Sequence, residues 1–379
     1  MTAPFSDEQV MIQDMARKFA TEQLAPHSGA WDAESHFPVD VIRRSAELGF
    51  AGIYCGEDVG GSGLTRFDAA LIFEQLSYGD VSTAAFISIH NMASWMIDTF
   101  GSETQRSDWL PRLTSMDLIA SYCLTEPGSG SDAAAMKTRA VRDGDDYVLN
   151  GAKQFISGAG TSDLYLVMVR TSDDGARGVS TLIVPKDTPG LSFGANERKM
   201  GWKNQPTRQV IFDNARVPVA NRLGEEGMGF KFAMAGLDGG RLNIAACSLG
   251  GAQLALDKAL DYAKEREQFG KPIADFQAIQ FKLADMETEL QAARVMLYEA
   301  AARLDGKTPD ATRWCAMAKR FVTDTGFKVA NEALQIHGGY GYLADYGVEQ
   351  ILRDLRVHQI LEGTNEIMRV IISRDMLRS

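Results

Sequence analysis

Glu362 stands in the stretch Arg356-Val-His-Gln-Ile-Leu-Glu-Gly-Thr-Asn-Glu-Ile-Met-Arg369, after the apolar pair Ile360-Leu361 and before Gly363. Glycine turns sharply at little steric cost. Thr364 and Asn365 are suited to start a helix, and Met368, Val370, Ile371, Ile372 and Met376 give a terminal amphipathic stripe. A carboxylate is thereby set on a tight turn among apolar neighbours, where it can accept a proton. Desolvation raises the pKa of such a group and a nearby helix N-terminus lowers it, so the residues alone leave the balance open. A helix-capping or salt-bridged glutamate is the plainer alternative.

Four further segments carry groups that suit a ligand. In Tyr122-Cys-Leu-Thr-Glu-Pro-Gly-Ser-Gly-Ser-Asp132, Gly128 and Gly130 let backbone amides converge, and Thr125, Ser129 and Ser131 add hydroxyls. A serine nucleophile is not supported, because the Gly-x-Ser-x-Gly elbow is absent and no His or Asp can be tied to these serines. Gln154-Phe-Ile-Ser-Gly158 offers an aromatic wall and one hydroxyl. Leu237-Asp-Gly-Gly-Arg241 has two glycines inside a helical pattern, each costing about 1 kcal/mol relative to Ala, which points to close packing or a ligand. An arginine there, opposed to a carboxylate, favours its ionised form. Arg266-Glu-Gln-Phe-Gly-Lys-Pro-Ile273 presents a guanidinium, whose fork matches a phosphate, beside a glycine turn.

Together these segments resemble the acyl-CoA dehydrogenase family over nearly the whole chain. Leu-Thr-Glu-Pro-Gly-Ser-Gly-Ser-Asp matches its first signature, and Gln335-Ile-His-Gly-Gly-Tyr-Gly341 its second. The wording Leu-Glu-Gly-Thr-Asn-Glu-Ile-Met-Arg is nearest the isobutyryl-CoA branch. The resemblance implies FAD as cofactor, an acyl-CoA substrate, electron-transfer flavoprotein as acceptor, and a homotetramer. It makes Glu362 the base that takes the α-proton, with Arg241 holding it. Ser131, Asp238, Arg241 and Gly363 would meet the substrate. Flavin contacts are implied for Tyr122, Cys123, Leu124, Thr125, Gly130 and Ser131, for Phe155, Ile156 and Ser157, and for Thr364 and Glu366. Arg266, Gln268, Phe269 and Gln277, with Gln335, Gly338 and Gly339, would reach the FAD of a neighbouring subunit. Some relatives carry the base where this chain has Gly240, and a glycine side chain cannot accept a proton, which points back to Glu362. Two positions depart from the pattern. Phe155-Ile-Ser157 stands where many members have Trp-Ile-Thr, and Gln350 stands where Lys or Arg is usual, although Asp345 and Asp354 are in place.

The elements that must hold these groups follow from periodicity. Residues 1–120 read as mostly helical: Ser6 and Gln9 form a capping box, apolar residues from Val10 to Leu24 lead to Pro26, and further helices are predicted over 39–48, 67–76, 84–100 and 103–113. Residues 121–225 read as a barrel-like β domain, with short runs such as 118–124, 147–149, 164–169, 180–184 and 209–212 between Asp-Gly and Pro-Gly turns. Residues 226–379 read as a four-helix-bundle domain, with helices over 227–265, 275–304, 307–336, 346–355 and 366–377. This α+β order of helices, sheet and helices differs from the alternation of a doubly wound nucleotide fold.

The chain has 379 residues, 45% apolar and 23% charged, enough for several domains and a large core. A net charge of −11 argues against a nucleic-acid partner, which needs clustered Lys and Arg, but leaves room for an anionic cofactor held by a few local donors. No apolar run approaches a membrane span, and Met-Thr-Ala-Pro-Phe-Ser-Asp-Glu lacks the pattern of a secretory leader. Four scattered cysteines fit reduced thiols in a cytoplasmic setting, or in the mitochondrial matrix if this is a mature eukaryotic form, and five histidines show no metal-ligand spacing. Two rivals remain at this level: a flavin-dependent oxidase or monooxygenase of the same fold, and a cofactor-free helical adaptor.

Overall fold

A computed structural model describes residues 5–378. Met1–Pro4, part of the stretch read above for a leader, lie outside the described residues. The chain opens on the capping box, with Ser6 Oγ accepting from the Gln9 amide at 3.1 Å and the Gln9 side chain accepting from the Ser6 amide. Helix α1 (Asp7–Phe19) passes into a single π-helical turn, Ala20–Leu24. There follow α2 (Ser28–Glu34), α3 (Val39–Arg44), α4 (Arg66–Gly79), α5 (Val81–Phe100) and α6 (Glu103–Thr114). Capping residues fix three of these starts: Thr65 with Asp68, Asp80, and Ser102 with Gln105.

The strands are β1 (Ala120–Cys123), β2 (Arg139–Asp143), β3 (Asp146–Ser157), β4 (Leu164–Arg170), β5 (Val179–Pro185), β6 (Leu191–Phe193), β7 (Thr207–Pro218) and β8 (Arg222–Leu223). They run in the order β6-β7-β3-β2-β4-β5-β8. β1 and β2 share one edge of β4: β1 pairs in parallel from Ala120↔Leu164 to Cys123↔Val167, and β2 meets the far end at Arg139↔Arg170. The loop carrying Thr125 to Ser131 therefore leaves the sheet where that edge changes partner. β3 and β7 are longer than their apolar runs. The β3–β7 register breaks at Leu149/Gly151 and at Lys153/Ile156.

Helix α7 (Gly229–Glu265) runs unbroken through Gly239-Gly240 and Gly250-Gly251. A β-carbon on Gly250 would lie 2.0 Å from the Glu74 carbonyl, so this glycine lets α4 press directly on α7. A short hairpin, β9 (Glu267–Gln268) and β10 (Lys271–Pro272), then turns the chain into α8 (Gln277–Asp305), α9 (Ala311–His337), α10 (Val348–Arg356) and α11 (Asn365–Arg378). The order of helices, sheet and helices is as expected. One apolar cluster, however, joins Phe19, Ile42, Leu71 and Phe86 to Leu242, Leu290, Val322 and Leu355. The two helical parts are thus one packed body, and the sheet keeps its own core around Tyr147, Tyr165 and Phe212. No helix among the described residues is long and apolar enough to cross a membrane.

Candidate active site

The Glu362 turn joins α10 to α11. Glu362 and Gly363 both lie in the left-handed region, at φ 56° and 88°. A non-glycine residue there is strained by roughly 1–3 kcal/mol and persists only where its surroundings fix it. Two cations supply the fixing. Arg241 Nε of α7 donates to the Glu362 carbonyl at 3.3 Å, and Lys319 Nζ of α9 donates to the Gly363 carbonyl at 2.8 Å and to Asn365 Oδ1 at 2.9 Å. Thr364 Oγ1 then accepts from the Ile367 amide at 3.3 Å and caps α11. Asn365 opens α11 as expected and is also a buried brace, donating to Asp324 at 2.7 Å.

The carboxylate itself is left free. Among the described residues, Glu362 Oε2 is buried with no hydrogen-bond partner. It points at Gly240, where an added β-carbon would lie 2.7 Å from Oε2 and 3.1 Å from Met92 Sδ. Burial raises its pKa from 4.5 to about 7, against the opposing pull of Arg241 and Lys319. Desolvation therefore wins the balance that the sequence left open. Arg241 holds this residue through its main chain and not through its carboxylate. Its Nη1 donates to Asp238 Oδ1 at 2.6 Å, and the two form the ion pair. Tyr122, across the site, is pushed well above the usual phenol range by burial and by the Glu362 charge.

The loop after β1 is rigid by construction. Glu126 and Ser129 close a tight turn through paired backbone bonds, and Ser129 Oγ donates to the Asp132 carbonyl at 2.6 Å. Beneath it, buried Lys153 donates to Glu126 at 2.7 Å and to the Leu124 carbonyl at 3.1 Å. The amides of Lys137 and Thr138 donate to the same carboxylate. Burial alone would raise the Glu126 pKa, but Lys153 and these amides hold it below the ordinary carboxylate value. The Gln154 amide donates to the Thr125 carbonyl at 2.8 Å, bringing two of the sequence motifs side by side. Phe155 sits on the β3 bulge at φ 58° and is 63% exposed, while its neighbour Ile156 is buried. A bulge re-aims one side chain off the sheet, and here it delivers an aromatic face. Gly130 and Ser131 are exposed, and nothing lies within 4 Å of a β-carbon built on Gly128 or Gly130. The side chains of Cys123 and Ile156 enter the sheet core, so the contact expected of them falls to their backbone.

The other set of candidates forms a separate place. A cavity of about 470 Å³ is lined by Arg266, Gln268, Gly338 and Gly339, together with Tyr262 and Tyr340. The Arg266 guanidinium stands 5.4 Å from the Tyr340 ring. Phe269, at the hairpin tip, is 93% exposed, and Gln277 and Gln335 are exposed too. None of the Glu362 group lines this cavity. Gln350, read as weakening one packing pair, is buried and donates to Ser28 Oγ at 3.0 Å, while Arg353 one turn on pairs with Asp32 at 2.7 Å, so α10 keeps a cation to α2 from a neighbouring position.

Family models place these elements. The acyl-CoA dehydrogenase N-terminal, middle and C-terminal domains match residues 6–117, 121–215 and 227–377. The chain belongs to the acyl-CoA dehydrogenase family. It is 58% identical to the mitochondrial isobutyryl-CoA dehydrogenase of Dictyostelium discoideum over 98% of this chain and 89% of that one. It is similar to the butyryl-CoA dehydrogenase of Megasphaera elsdenii (TM-score 0.97, 38% identity, all of both chains). A chain solved in work on the electron transferring flavoprotein of Acidaminococcus fermentans is also similar (TM-score 0.98, 41% identity, all of both chains). As an acyl-CoA dehydrogenase, this chain is an oxidoreductase acting on a CH–CH bond.

Within this family member, two site residues escape a reading by motif. Lys319 occupies the apolar stripe Cys315, Lys319, Val322 of α9 and has no exposed surface. A lysine on such a stripe is a signal that the sequence did offer. Arg66 gives no comparable signal. Its guanidinium lies 3.6 Å from the Tyr54 ring centroid and 4.6 Å from that of Trp95, and Nη1 would be 2.4 Å from a β-carbon on Gly239. The glycine pair of α7 is thereby explained: Gly239 makes room for Arg66, and Gly240 for Glu362.

Proposed function

We propose that the chain dehydrogenates a short branched acyl-CoA, isobutyryl-CoA foremost, between its α and β carbons, with Glu362 as the base. The observation that carries this is the buried, unpartnered Glu362 carboxylate, whose pKa lies at about 7. A base works best when its pKa is near the working pH. The family is FAD-dependent. The residues present fit that cofactor: an exposed Phe155 ring, open space above Gly128 and Gly130, and the hydroxyls of Thr125 and Ser157 on adjoining segments. FAD, when bound, supplies the acceptor for the two electrons that leave the acyl chain.

The protein's own part is positioning and proton transfer. Tyr122 and the Thr125 to Ser131 loop, clamped by Lys153 and Glu126, form one wall. Glu362, held through its main chain by Arg241, takes the α-proton. The low dielectric around the buried carboxylate strengthens each charge interaction there. Electron-transfer flavoprotein is the proposed acceptor, in keeping with the similar chain from Acidaminococcus fermentans. A homotetramer is proposed as well. Exposed Phe269, Tyr342 and Leu343 on and beside the Arg266 segment suit contact with a second copy. Four buried free thiols suit a reducing, cytoplasm-like compartment.

An anaerobic panel of acyl-CoAs, read by bleaching of flavin absorbance, tests the substrate. Isobutyryl-CoA should give the highest kcat/KM, and a higher value for a long straight chain overturns that assignment. The same measurement on Glu362→Gln tests the base. Loss of a positioned base costs about 10²–10⁴-fold, so near wild-type flavin reduction by this variant removes Glu362 from the role.

A further inference from the structure

Lys319 is a lysine with no exposed surface whose two side-chain bonds go to neutral oxygens, the Gly363 carbonyl and Asn365 Oδ1. Burying an ammonium in this way is costly unless it stabilises something in return. What it touches is the turn that presents Glu362. We propose that Lys319 is a positioning residue for the base: it clamps the left-handed Glu362–Gly363 turn to α9 and, in its ammonium form, places a positive charge that no carboxylate bonds beside the Glu362 carboxylate. The inference rests on Glu362 being the base.

The charges around the pair decide how much this cation matters. Arg241 faces Glu362 from α7, but its guanidinium is bonded to Asp238. Tyr122 faces it from β1 and stays protonated. Lys319 feels Glu362, Arg241, Asp324 on its own helix and Glu366 from α11. His358, in the turn between α10 and α11, is pushed down to about 3 by burial and by Lys319, so it stays neutral. Of the two cations acting on Glu362, Arg241 is therefore partly neutralised by its bonded carboxylate. Lys319 has no carboxylate bonded to it. Burial presses the Lys319 pKa down to about 7 in spite of the upward pull of the Glu362 carboxylate, so the two groups titrate in the same range and each charge favours the other. Loss of the Lys319 charge leaves the carboxylate easier to protonate, and its pKa must rise.

The test uses the flavin-loaded enzyme with Lys319→Met, which keeps length and removes charge and donors, and Lys319→Arg, which keeps the charge. Single-turnover flavin reduction by isobutyryl-CoA is followed between about pH 6 and 9, with KM and flavin content measured alongside. In Lys319→Met the plateau rate should fall about 10-fold or more, KM should stay within about 3-fold, and the rising limb should move up by about one pH unit. Lys319→Arg should return the limb towards its original position. If Lys319→Met emerges without flavin, Lys319→Gln, which keeps donors but no charge, carries the pH measurement. Infrared titration of the Glu362 carboxyl in flavin-free protein should show the same upward shift without turnover. A limb and a carboxyl titration that do not move overturn the proposal, even if the rate drops, since a merely structural role would lower rate alone. Glu362→Gln separates the two readings. If it still reduces flavin, the base assignment fails. If it is inactive while the Lys319→Met limb stays put, only the inference about Lys319 fails.

Discussion

A β-carbon added to Gly240 would lie 2.7 Å from Oε2 of Glu362, although the two residues are far apart in the chain. The atom in the way is the free end of a flexible side chain, so an added methyl displaces the carboxylate before it disturbs the helix. Gly240→Ala should therefore cost activity and spare the fold. Flavin reduction should slow about 10-fold or more, since misplacing a base is expensive, while the urea midpoint changes by less than the equivalent of about 1 kcal/mol. A large stability loss with normal rate contradicts the geometry. The same closeness means that a carboxylate grown from position 240 reaches the space Glu362 occupies. Glu at 240 in the Glu362→Gln protein should restore part of the single-turnover rate.

How far the sequence anticipates this site depends on the range of the interactions involved. The Ser6–Gln9 box and the Thr364 cap depend on residues within four positions of one another, and each forms where the pattern puts it; the Glu362-Gly363 turn also forms there, but it is held by Arg241 and Lys319 from distant helices. The role of Gly240 and the bulge at Phe155 depend on what packs opposite, and periodicity carries no such information. β3 reads as a three-residue run because Asn150-Gly151 interrupts its alternation. In the fold Gly151 is needed there: a β-carbon would come within 2.7 Å of the Thr138 backbone. Arg241 was legible as a partner of Glu362. That Asp238 on its own helix takes the guanidinium, leaving the carboxylate bare, shows only in three dimensions.

Arg266 and Tyr340 approach to 5.4 Å on the wall of a cavity that also exposes the Gly338 and Gly339 backbones. A guanidinium there suits a pyrophosphate, which it can pair in a fork geometry. Arg266→Ala is expected to lower flavin content and to reduce the mass in solution together, if that phosphate belongs to a neighbouring subunit's FAD. Light scattering and the flavin-to-protein absorbance ratio read both quantities. Full flavin occupancy at unchanged mass counts against the assignment.

Lys153 and Glu126 form a buried ion pair beneath the Thr125 to Ser131 loop, with side-chain exposures of 0% and 6%. Removing one partner of such a pair costs about 3–5 kcal/mol, because the other charge is left without compensation. Lys153→Met should lose stability of that order in urea unfolding, and flavin retention should fall with it as the loop loosens. The pH dependence has a definite sign. The Glu126 pKa is depressed in the folded protein, so its contribution is present above the unfolded value and fades as pH falls through the folded one. Wild type and Glu126→Gln should thus converge in stability in acid and separate towards neutrality.

Glu362 should act on stability in the opposite sense. Its pKa rises from 4.5 to about 7 on folding, so between those values the folded protein binds more protons than the unfolded chain. Stability then falls as pH rises across that window, and above it the ionised carboxylate is a standing cost. At 1.36 kcal/mol per unit, discounted for partial solvent access at the turn, the cost is about 1–3 kcal/mol. Glu362→Gln removes the titrating group and keeps the shape. The variant should accordingly be more stable than wild type near pH 8, by about that amount, and the advantage should vanish near pH 4.5. Flavin-free protein is the right material for the urea series, because ligand binding adds its own linkage. A difference that is flat with pH means that the carboxylate is solvated in the folded protein, and the pKa of about 7 is then wrong. A difference that opens between pH 4.5 and 7 ties the strained, desolvated state of Glu362 to the proton it has to accept.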